Sequence, residues 1–210
     1  MKVVAISDTH GVHERLAIPA CDLLVHCGDV TRGGSRAETE EFLDWFAAQP
    51  ARDKLFVGGN HDRFVEKQPD EVRRLAERHG VAYLFDEEIT FAGKKIWGSP
   101  VVPPFRSMAF NRERGATIRA HWDRMPAGLD LLVTHGPPKG LGDRIVVGIH
   151  VGCADLTAKV RSAAPRVHVF GHIHEARGEY SLPGLPTRFL NVASRRLVPI
   201  GIRPPVAFEI

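Results

Sequence analysis

The sequence is poor in cysteine and has no long apolar run, and both absences exclude classes of protein. Three cysteines occur in 210 residues, without a Cys-x-x-Cys pair, so a disulfide-stabilised secreted domain is not predicted. No apolar stretch approaches the roughly 18 residues of a membrane-spanning helix. The first apolar segment meets an acid at Asp8, which indicates a first β-strand rather than a signal peptide. We therefore expect a cytoplasmic protein with reduced thiols and no membrane association.

An excess of charge of one sign is also missing. The chain carries 28 basic and 25 acidic residues, and aromatic residues make up only 8% of it. No block of five like charges and no basic stripe with interleaved aromatic residues occurs, so specific nucleic-acid binding is not expected. No repeat or linker divides the chain, and residues 1–210 are expected to form a single domain that acts on a small molecule. The oligomeric state is left open.

Short apolar segments alternate with helical patterns, which is typical of an α/β fold. The predicted strands are Val3–Ser7, Leu23–Cys27, Lys54–Val57, Val81–Phe85, Lys95–Gly98, Leu131–Thr134, Val167–Phe170, Thr187–Val192 and Pro205–Ile210. The predicted helices are Arg36–Gln49, Asp70–His79, Arg112–Arg124 and Asp155–Ala164. Nine strands with only four helices are more strands than one doubly wound layer needs.

Histidine is abundant, with 11 in the chain, and several histidines directly follow predicted strands. Five strands run into residues of the metal-ligand type: Asp8-Thr9-His10, Gly28-Asp29, Gly58-Gly59-Asn60-His61-Asp62, His135-Gly136 and Gly171-His172-Ile173-His174. Each group alone is common in turns, but independent loops would seldom place five of them at strand ends. Because such sheets collect ligands at the carboxyl ends of their strands, the five groups are expected to form one site.

The ligand types indicate what this site binds. Two carboxylates, four imidazoles and one amide oxygen are too many for one ion and suit two cations that share a carboxylate. Mixed nitrogen and oxygen ligands favour Mn²⁺, Fe, Zn²⁺ or Ni²⁺ over Ca²⁺, with Mg²⁺ a further candidate and Mn²⁺ the preferred one. Cys27, next to the Gly28-Asp29 turn, is expected to be packed rather than to bind metal. Two such cations would lower the pKa of a water molecule bound between them.

The order of the five motifs resembles the calcineurin-like metallophosphoesterases. More narrowly, Thr134–Pro138, Val151–Cys153 and His168–Glu175 resemble the metallophosphoesterase-domain-containing (MPPED-type) branch, which is associated with hydrolysis of cyclic nucleotides and other phosphodiesters. The resemblance implies an α/β fold, a single-domain four-layer αββα sandwich with two packed mixed sheets. One departure is that Val30-Thr31-Arg32 follows Asp29, where many members carry a second aspartate.

The resemblance also implies a role for each matching residue. Three residues would hold the first metal and three the second: Asp8, His10 and His174, and then Asn60, His135 and His172. Asp29 would bridge the two ions. His61 would face the substrate and donate a proton to the leaving group, with Asp62 behind it to keep it protonated. Asn60 would also offer its amide NH₂ to the phosphate.

The predicted function is therefore a metal-dependent phosphodiesterase for small phosphodiesters, cyclic nucleotides among them. A phosphomonoesterase or protein phosphatase with the same site, a nuclease and a non-catalytic binding module are the alternatives. Because every ligand position and His61 are present, the binding module is disfavoured. His26 and His168 are expected to orient ligands. Roles for four further pocket or phosphate-contact candidates stay open: His150, Arg106, Arg112 and Arg144.

Overall fold

A computed structural model of the protein describes residues 1–196 and 200–210. The strands of this part are β1 (Lys2–Ile6), β2 (Cys21–His26), β3 (Ala51–Phe56), β4 (Ala82–Tyr83), β5 (Glu87–Phe91), β6 (Lys94–Ser99), β7 (Leu131–Thr134), β8 (Val167–Phe170), β9 (Gly178–Leu182), β10 (Leu185–Asn191), β11 (Arg195–Arg196), β12 (Gly201–Ile202) and β13 (Val206–Glu209). All nine predicted strands are found, with ends shifted by a few residues. The additional strands β5 and β9 lie at sheet edges, where side chains alternate between partly buried and exposed.

The strands form two mixed sheets and a short antiparallel pair, β11 with β12. The first sheet has the order β13-β1-β2-β3-β4, in which β1 to β4 are parallel and β13 is antiparallel. The second has the order β5-β6-β7-β8-β10-β9, with a parallel centre and antiparallel strands at both edges. Each sheet therefore contains a parallel set whose carboxyl ends can carry site residues.

The helices of the described part are α1 (Arg36–Ala47), α2 (Arg63–Lys67), α3 (Pro69–Arg78), α4 (Ala116–Trp122) and α5 (Ala154–Ala163). Helix α1 begins at a capping box, in which the Ser35 hydroxyl accepts from the Glu38 backbone and the Glu38 carboxylate accepts from the Ser35 backbone. The third predicted helix is shorter than expected, because Gly115 precedes it with a φ of 83° and the regular helix starts only at Ala116. None of the helices described is both long and apolar enough to traverse a bilayer.

The apolar side chains of the two sheets divide the core into three parts. Aliphatic residues fill the space between the sheets, among them Val3, Leu23, Val133 and Val169. On the outer face of the first sheet, α1 and α3 bury Phe42, Phe46 and Leu75. On the outer face of the second sheet, α4 and α5 bury Ile118, Trp122, Leu156 and Val160. This arrangement confirms the predicted four-layer αββα sandwich of two packed mixed sheets.

Candidate metal centre

The five strand-end motifs meet at one edge of the sandwich and form two adjoining clusters. The first cluster contains Asp8 and His10, which follow β1, and His174, which follows β8. An Asp8 carboxylate oxygen lies 3.3 Å from His174 Nε2, and the Nε2 atoms of His10 and His174 are 3.2 Å apart. The three ligand atoms all lie within 4.8 Å of one another. One divalent cation can contact all three.

The second cluster lies on the other side of Asp29. It contains Asp29, His135 and His172, whose ligand atoms again lie within 4.8 Å of one another. Asn60 belongs to it as well, because its Oδ1 is 2.8 Å from His135 Nε2. Asp29 directs its Oδ1 to His135, at 3.5 Å, and its Oδ2 to His10, at 3.7 Å. The two oxygens of one carboxylate therefore face the two clusters, as the bridging role requires.

Four of these ligand residues have left-handed backbone conformations. The φ angles are 55° at Asp8, 44° at His10, 57° at Asp29 and 68° at His172. Such conformations cost about 1–3 kcal/mol each and persist only where surrounding contacts enforce them. Here the Asp8 amide donates to Gly28, the His10 amide donates to the Asp29 carbonyl, and the His172 amide donates to the Asp8 carboxylate. The turns that carry the ligands thus hold one another in place.

Two glycines are required by close packing under the ligands. A Cβ at Gly171 would collide with Ser7 and with the Asp8 carboxylate. A Cβ at Gly59 would collide with the backbone and carboxylate of Asp29. These glycines of the strand-end motifs therefore allow the carboxylates to approach the neighbouring turn.

Burial sets the ionisation of the ligands. It lowers the pKa of His10 and of His172 to about 3, so both imidazoles are neutral near pH 7. Burial, together with the negative charges of Asp8 and Asp62, raises the pKa of Asp29 well above its usual range. For Asp8, burial also disfavours the charged form, but the His174 hydrogen bond and the neighbouring imidazoles outweigh it and hold its pKa well below the usual range.

These properties fit a pair of divalent cations. Metals bind neutral imidazole nitrogens and ionised carboxylates, which is what His10, His172 and Asp8 offer. The Nε2 atoms of His10 and His174 lie 3.2 Å apart, so one cation could bind both nitrogens once the proton between them is released. Added positive charge there would also remove the penalty of ionising Asp29. The predicted ligands are therefore all brought together, in a form suited to two metal ions.

Two threonine–histidine contacts lie next to the turns that carry the ligands. The sequence pattern pointed to the histidines of these contacts but not to the threonines. The Thr9 hydroxyl is 3.0 Å from His26 Nε2, and the Gly28 amide donates to His26 Nδ1. On the second sheet, the Thr134 hydroxyl is 2.8 Å from His168 Nε2. His26 and His168 thus contact residues adjacent to ligands, and their orienting role stays a prediction, while the threonines carried no separate signal in the sequence.

His61 lies beside the ligands His10 and Asp29 and is held by different partners than the sequence suggested. Its ring is 4.6 Å from the His10 ring, and its backbone amide donates to Asp29 Oδ1 at 2.8 Å. Its Nδ1 is 3.2 Å from the Arg32 carbonyl oxygen, an acceptor, so Nδ1 carries the proton of this hydrogen bond. His61 also shares a potential metal cluster with His10 and Asp29.

The prediction that Asp62 lies behind the His61 ring and keeps it protonated is wrong. Asp62 is fully buried, and its carboxylate accepts from the Gly59, Val30 and Thr31 amides and, most closely, from the Thr31 hydroxyl at 2.6 Å. These donors belong to the turns that carry Asp29 and Asn60, so the Asp62 carboxylate fixes these turns rather than the His61 ring. Thr31, which stands in the segment that departs from the family pattern, is one of its main partners.

Because Asp62 is hydrogen-bonded to backbone amides and to Thr31, its substitution is expected to affect stability and metal binding. In Asp62→Asn, an amide NH₂ replaces one oxygen and faces backbone donors, which costs about 1–3 kcal/mol for each unsatisfied buried group. We expect a lower thermal midpoint and a lower metal content, with activity reduced equally for good and poor leaving groups. Differential scanning fluorimetry, elemental analysis and kinetics with two esters measure this. A loss of activity confined to poor leaving groups, at unchanged metal content, would contradict it.

The remaining candidates occupy several different environments. Cys27 is completely buried between the sheets, and its carbonyl oxygen lies 2.9 Å from His135 Nδ1, so the thiol packs as expected. Arg112 pairs with Glu66 at 3.2 Å, and Arg106 lies over the Phe105 ring, so neither is aimed at the metal clusters. His150 lines a groove next to His172.

Comparisons with known proteins agree with this geometry. The family model for calcineurin-like phosphoesterases matches residues 1–176. Human "Metallophosphoesterase domain-containing protein 1" is 31% identical over 232 residues, covering 100% of this chain and 71% of that protein. "UPF0046 protein K07C11.7" of Caenorhabditis elegans is 34% identical over 205 residues, covering 92% of this chain and 69% of that protein.

A solved structure shows the same fold at low identity. The crystal structure of TT1561 from Thermus thermophilus superposes with a TM-score of 0.65 at 14% identity, covering 91% of this chain and 88% of that one. The family model and the relatives also indicate an activity, the metal-dependent hydrolysis of phosphate esters. The two clusters of this chain can hold the divalent ions that such an activity needs. The chain belongs to the calcineurin-like phosphoesterases and is similar to the metallophosphoesterase-domain-containing and UPF0046 proteins.

Proposed function

We propose that the protein is a Mn²⁺-dependent phosphodiesterase that hydrolyses small phosphodiesters, with cyclic nucleotides among the substrates to test. The observation that carries this proposal is the shared carboxylate of Asp29, which faces two clusters at once. Two cations about 3.5–4 Å apart suit in-line displacement at phosphorus, because both the attacking and the leaving oxygen can be stabilised.

The ions and the protein side chains would contribute different parts of the chemistry. When bound, the two cations supply Lewis acidity and a water of lowered pKa. Asp8, His10 and His174 would hold one ion, while Asn60, His135 and His172 would hold the other, and Asp29 would contact both. The two carboxylates neutralise only part of the charge of two divalent cations, so the site would stay positive and attract a phosphate ester.

His61 would handle the proton of the leaving group. Its Nδ1–H is held by the Arg32 carbonyl, which leaves Nε2 for the substrate. As the bond between phosphorus and the ester oxygen breaks, the imidazolium would donate its Nε2 proton to that oxygen and become neutral. Its position beside His10, with its amide fixed to Asp29, keeps the ring at the edge of the metal centre.

The surroundings of the site favour a small substrate. The second cluster adjoins, through His172, a groove of about 410 Å³, which is within the range of small-molecule sites. The three cysteines are all free, which supports a reducing compartment, and we propose the cytoplasm. We propose no nucleic-acid or membrane partner.

A substrate screen tests the proposal. The protein is stripped with a chelator, reloaded with Mn²⁺ and assayed with p-nitrophenyl phosphate, bis(p-nitrophenyl) phosphate and a cyclic nucleotide. We expect turnover only after reloading, with a higher kcat/KM for diesters than for the monoester. Preference for the monoester would make the protein a phosphomonoesterase instead. Two bound ions without turnover of any ester would indicate a binding module.

A further inference from the structure

A groove adjoins the second cluster and extends away from the metal centre. Its wall includes the ligand His172 and the neighbouring Ile173, so a group attached to a phosphate on the ions would enter it directly. Most of the other lining residues are apolar: Pro103, Pro104, Phe105, Pro137, Ile145 and Val151. Phe105 and the prolines offer flat apolar surfaces, against which a planar organic group packs well.

The polar groups of the groove differ in whether their hydrogen-bonding atoms are already used. Arg114 donates to the Val151 and Gly152 carbonyls, both at 2.9 Å, and so holds the chain next to His150. Glu175 accepts from the Val146 amide at 2.9 Å and fastens the loop that carries Ile145. Both charged side chains therefore hold the backbone of the groove wall.

His150 is held by a buried carboxylate and keeps one ring nitrogen for the groove. Its Nδ1 lies 2.6 Å from Asp143 Oδ1, and Asp143 also accepts from the Gly140 and Gly152 amides at 3.0 Å. The Asp143 side chain is completely buried, whereas that of His150 is 47% exposed. Because an ionised carboxylate only accepts, Nδ1 carries the proton. Within residues 1–196 and 200–210, no hydrogen bond to Nε2 of His150 is found.

We propose that His150, positioned by Asp143, determines the specificity of the groove. Its Nε2 forms a hydrogen bond with the polar edge of a flat organic group that is esterified to the phosphate, while the faces of that group lie against Phe105 and the prolines. The inference rests on the proposed function, since it assigns the organic part of the substrate to this groove. This role would explain why the half-exposed ring of His150 is held by Asp143, whose carboxylate also accepts from two backbone amides of the same loop.

Two substrates with the same leaving group test the role of His150. The two esters differ only in the group that stays on the phosphate. In the p-nitrophenyl ester of thymidine 5′-monophosphate this group carries a flat base with a polar edge, whereas in methyl p-nitrophenyl phosphate it is a methyl group. In His150→Ala we expect KM for the thymidine ester to rise about tenfold, the value of one hydrogen bond of about 1.4 kcal/mol, with kcat nearly unchanged. Both constants for the methyl ester should stay at their wild-type values.

The chain offers a matched control in a second histidine–aspartate pair. His121 Nδ1 lies 2.6 Å from the buried Asp86 carboxylate, but His121 is not among the residues that line the groove. His121→Ala should therefore leave the ratio of kcat/KM between the two esters unchanged. If His150→Ala changes both esters equally, or neither, the assignment is wrong.

A binding measurement separates this inference from the proposed function. If the Mn²⁺-loaded wild type hydrolyses neither ester, the proposed phosphodiesterase activity fails. Calorimetric titration with thymidine 5′-monophosphate and with methyl phosphate then still tests the groove. His150→Ala should weaken binding of the nucleotide about tenfold and leave that of methyl phosphate unchanged. Equal affinities of the variant and the wild type for the nucleotide would overturn the proposal.

Discussion

Replacing Asp29 by asparagine is expected to empty both metal sites of the protein. One Asp29 oxygen faces His10 in the first cluster and the other faces His135 in the second, so a single substitution removes negative charge from both. An asparagine would turn an NH₂ group toward one of the two ions. We expect elemental analysis to show loss of both ions, and turnover to fall by a factor on the order of 10³ or more, as when a principal electrostatic stabiliser is lost.

A second buried carboxylate provides the control for this substitution. Asp86 is buried and hydrogen-bonded to Ser99 and His121, away from the metal clusters. Asp86→Asn should lower the thermal midpoint, because it disturbs a buried hydrogen-bond pair, and should leave the metal content unchanged. If Asp29→Asn retains one ion at full occupancy, Asp29 belongs to one site and the bridging role is refuted.

A large effect on catalysis alone is expected for His61→Gln. The ring lies beside His10, and its Nδ1 is held by the Arg32 carbonyl. In the proposed assignment His61 faces the substrate and belongs to neither three-residue ligand set. Metal content should stay nearly unchanged, while turnover falls by a factor on the order of 10²–10⁴, the usual contribution of a general acid.

The dependence on the leaving group distinguishes proton donation from simple binding of phosphate. A nitrophenolate leaves without much need of a proton, so the loss in His61→Gln should be small for nitrophenyl esters. Alkyl and nucleoside esters, whose alkoxides must be protonated, should show the largest loss. Rates across such a series, with metal content measured on the same samples, distinguish proton donation by His61 from phosphate binding. Equal losses for all esters, or loss of an ion, would make His61 a phosphate clamp or a metal ligand.

The parts of the structure that follow from local patterns were predictable from the sequence. The parallel strands β1, β2, β7 and β8 are mostly apolar, and β3 becomes apolar at its end, at Leu55 and Phe56. Ligand-type residues follow each of these strands at the expected place. The edge strands β5 and β9 escaped prediction because their side chains alternate and remain partly exposed, so no apolar run marks them.

The contacts that position the site residues were harder to predict, because they depend on backbone atoms and on long-range packing. The Arg32 carbonyl that holds His61 has no signature in the sequence, since every residue carries a carbonyl. The resemblance implies that Asp62 lies behind His61, but the backbone turns Asp62 inward, toward Thr31. The pairing of His150 with Asp143 depends on how the loop between them folds back.

The division of ligands between the sheets has a consequence for the cooperativity of unfolding. Asp8, His10, Asp29 and Asn60 follow strands of the first sheet, while His135, His172 and His174 follow strands of the second. Each cluster therefore draws ligands from both layers, and a cation bound there ties the layers together at that edge. Amide hydrogen exchange at the ends of β1 and β8 should then slow together on metal binding, because partial opening of the sandwich would first have to release the ions.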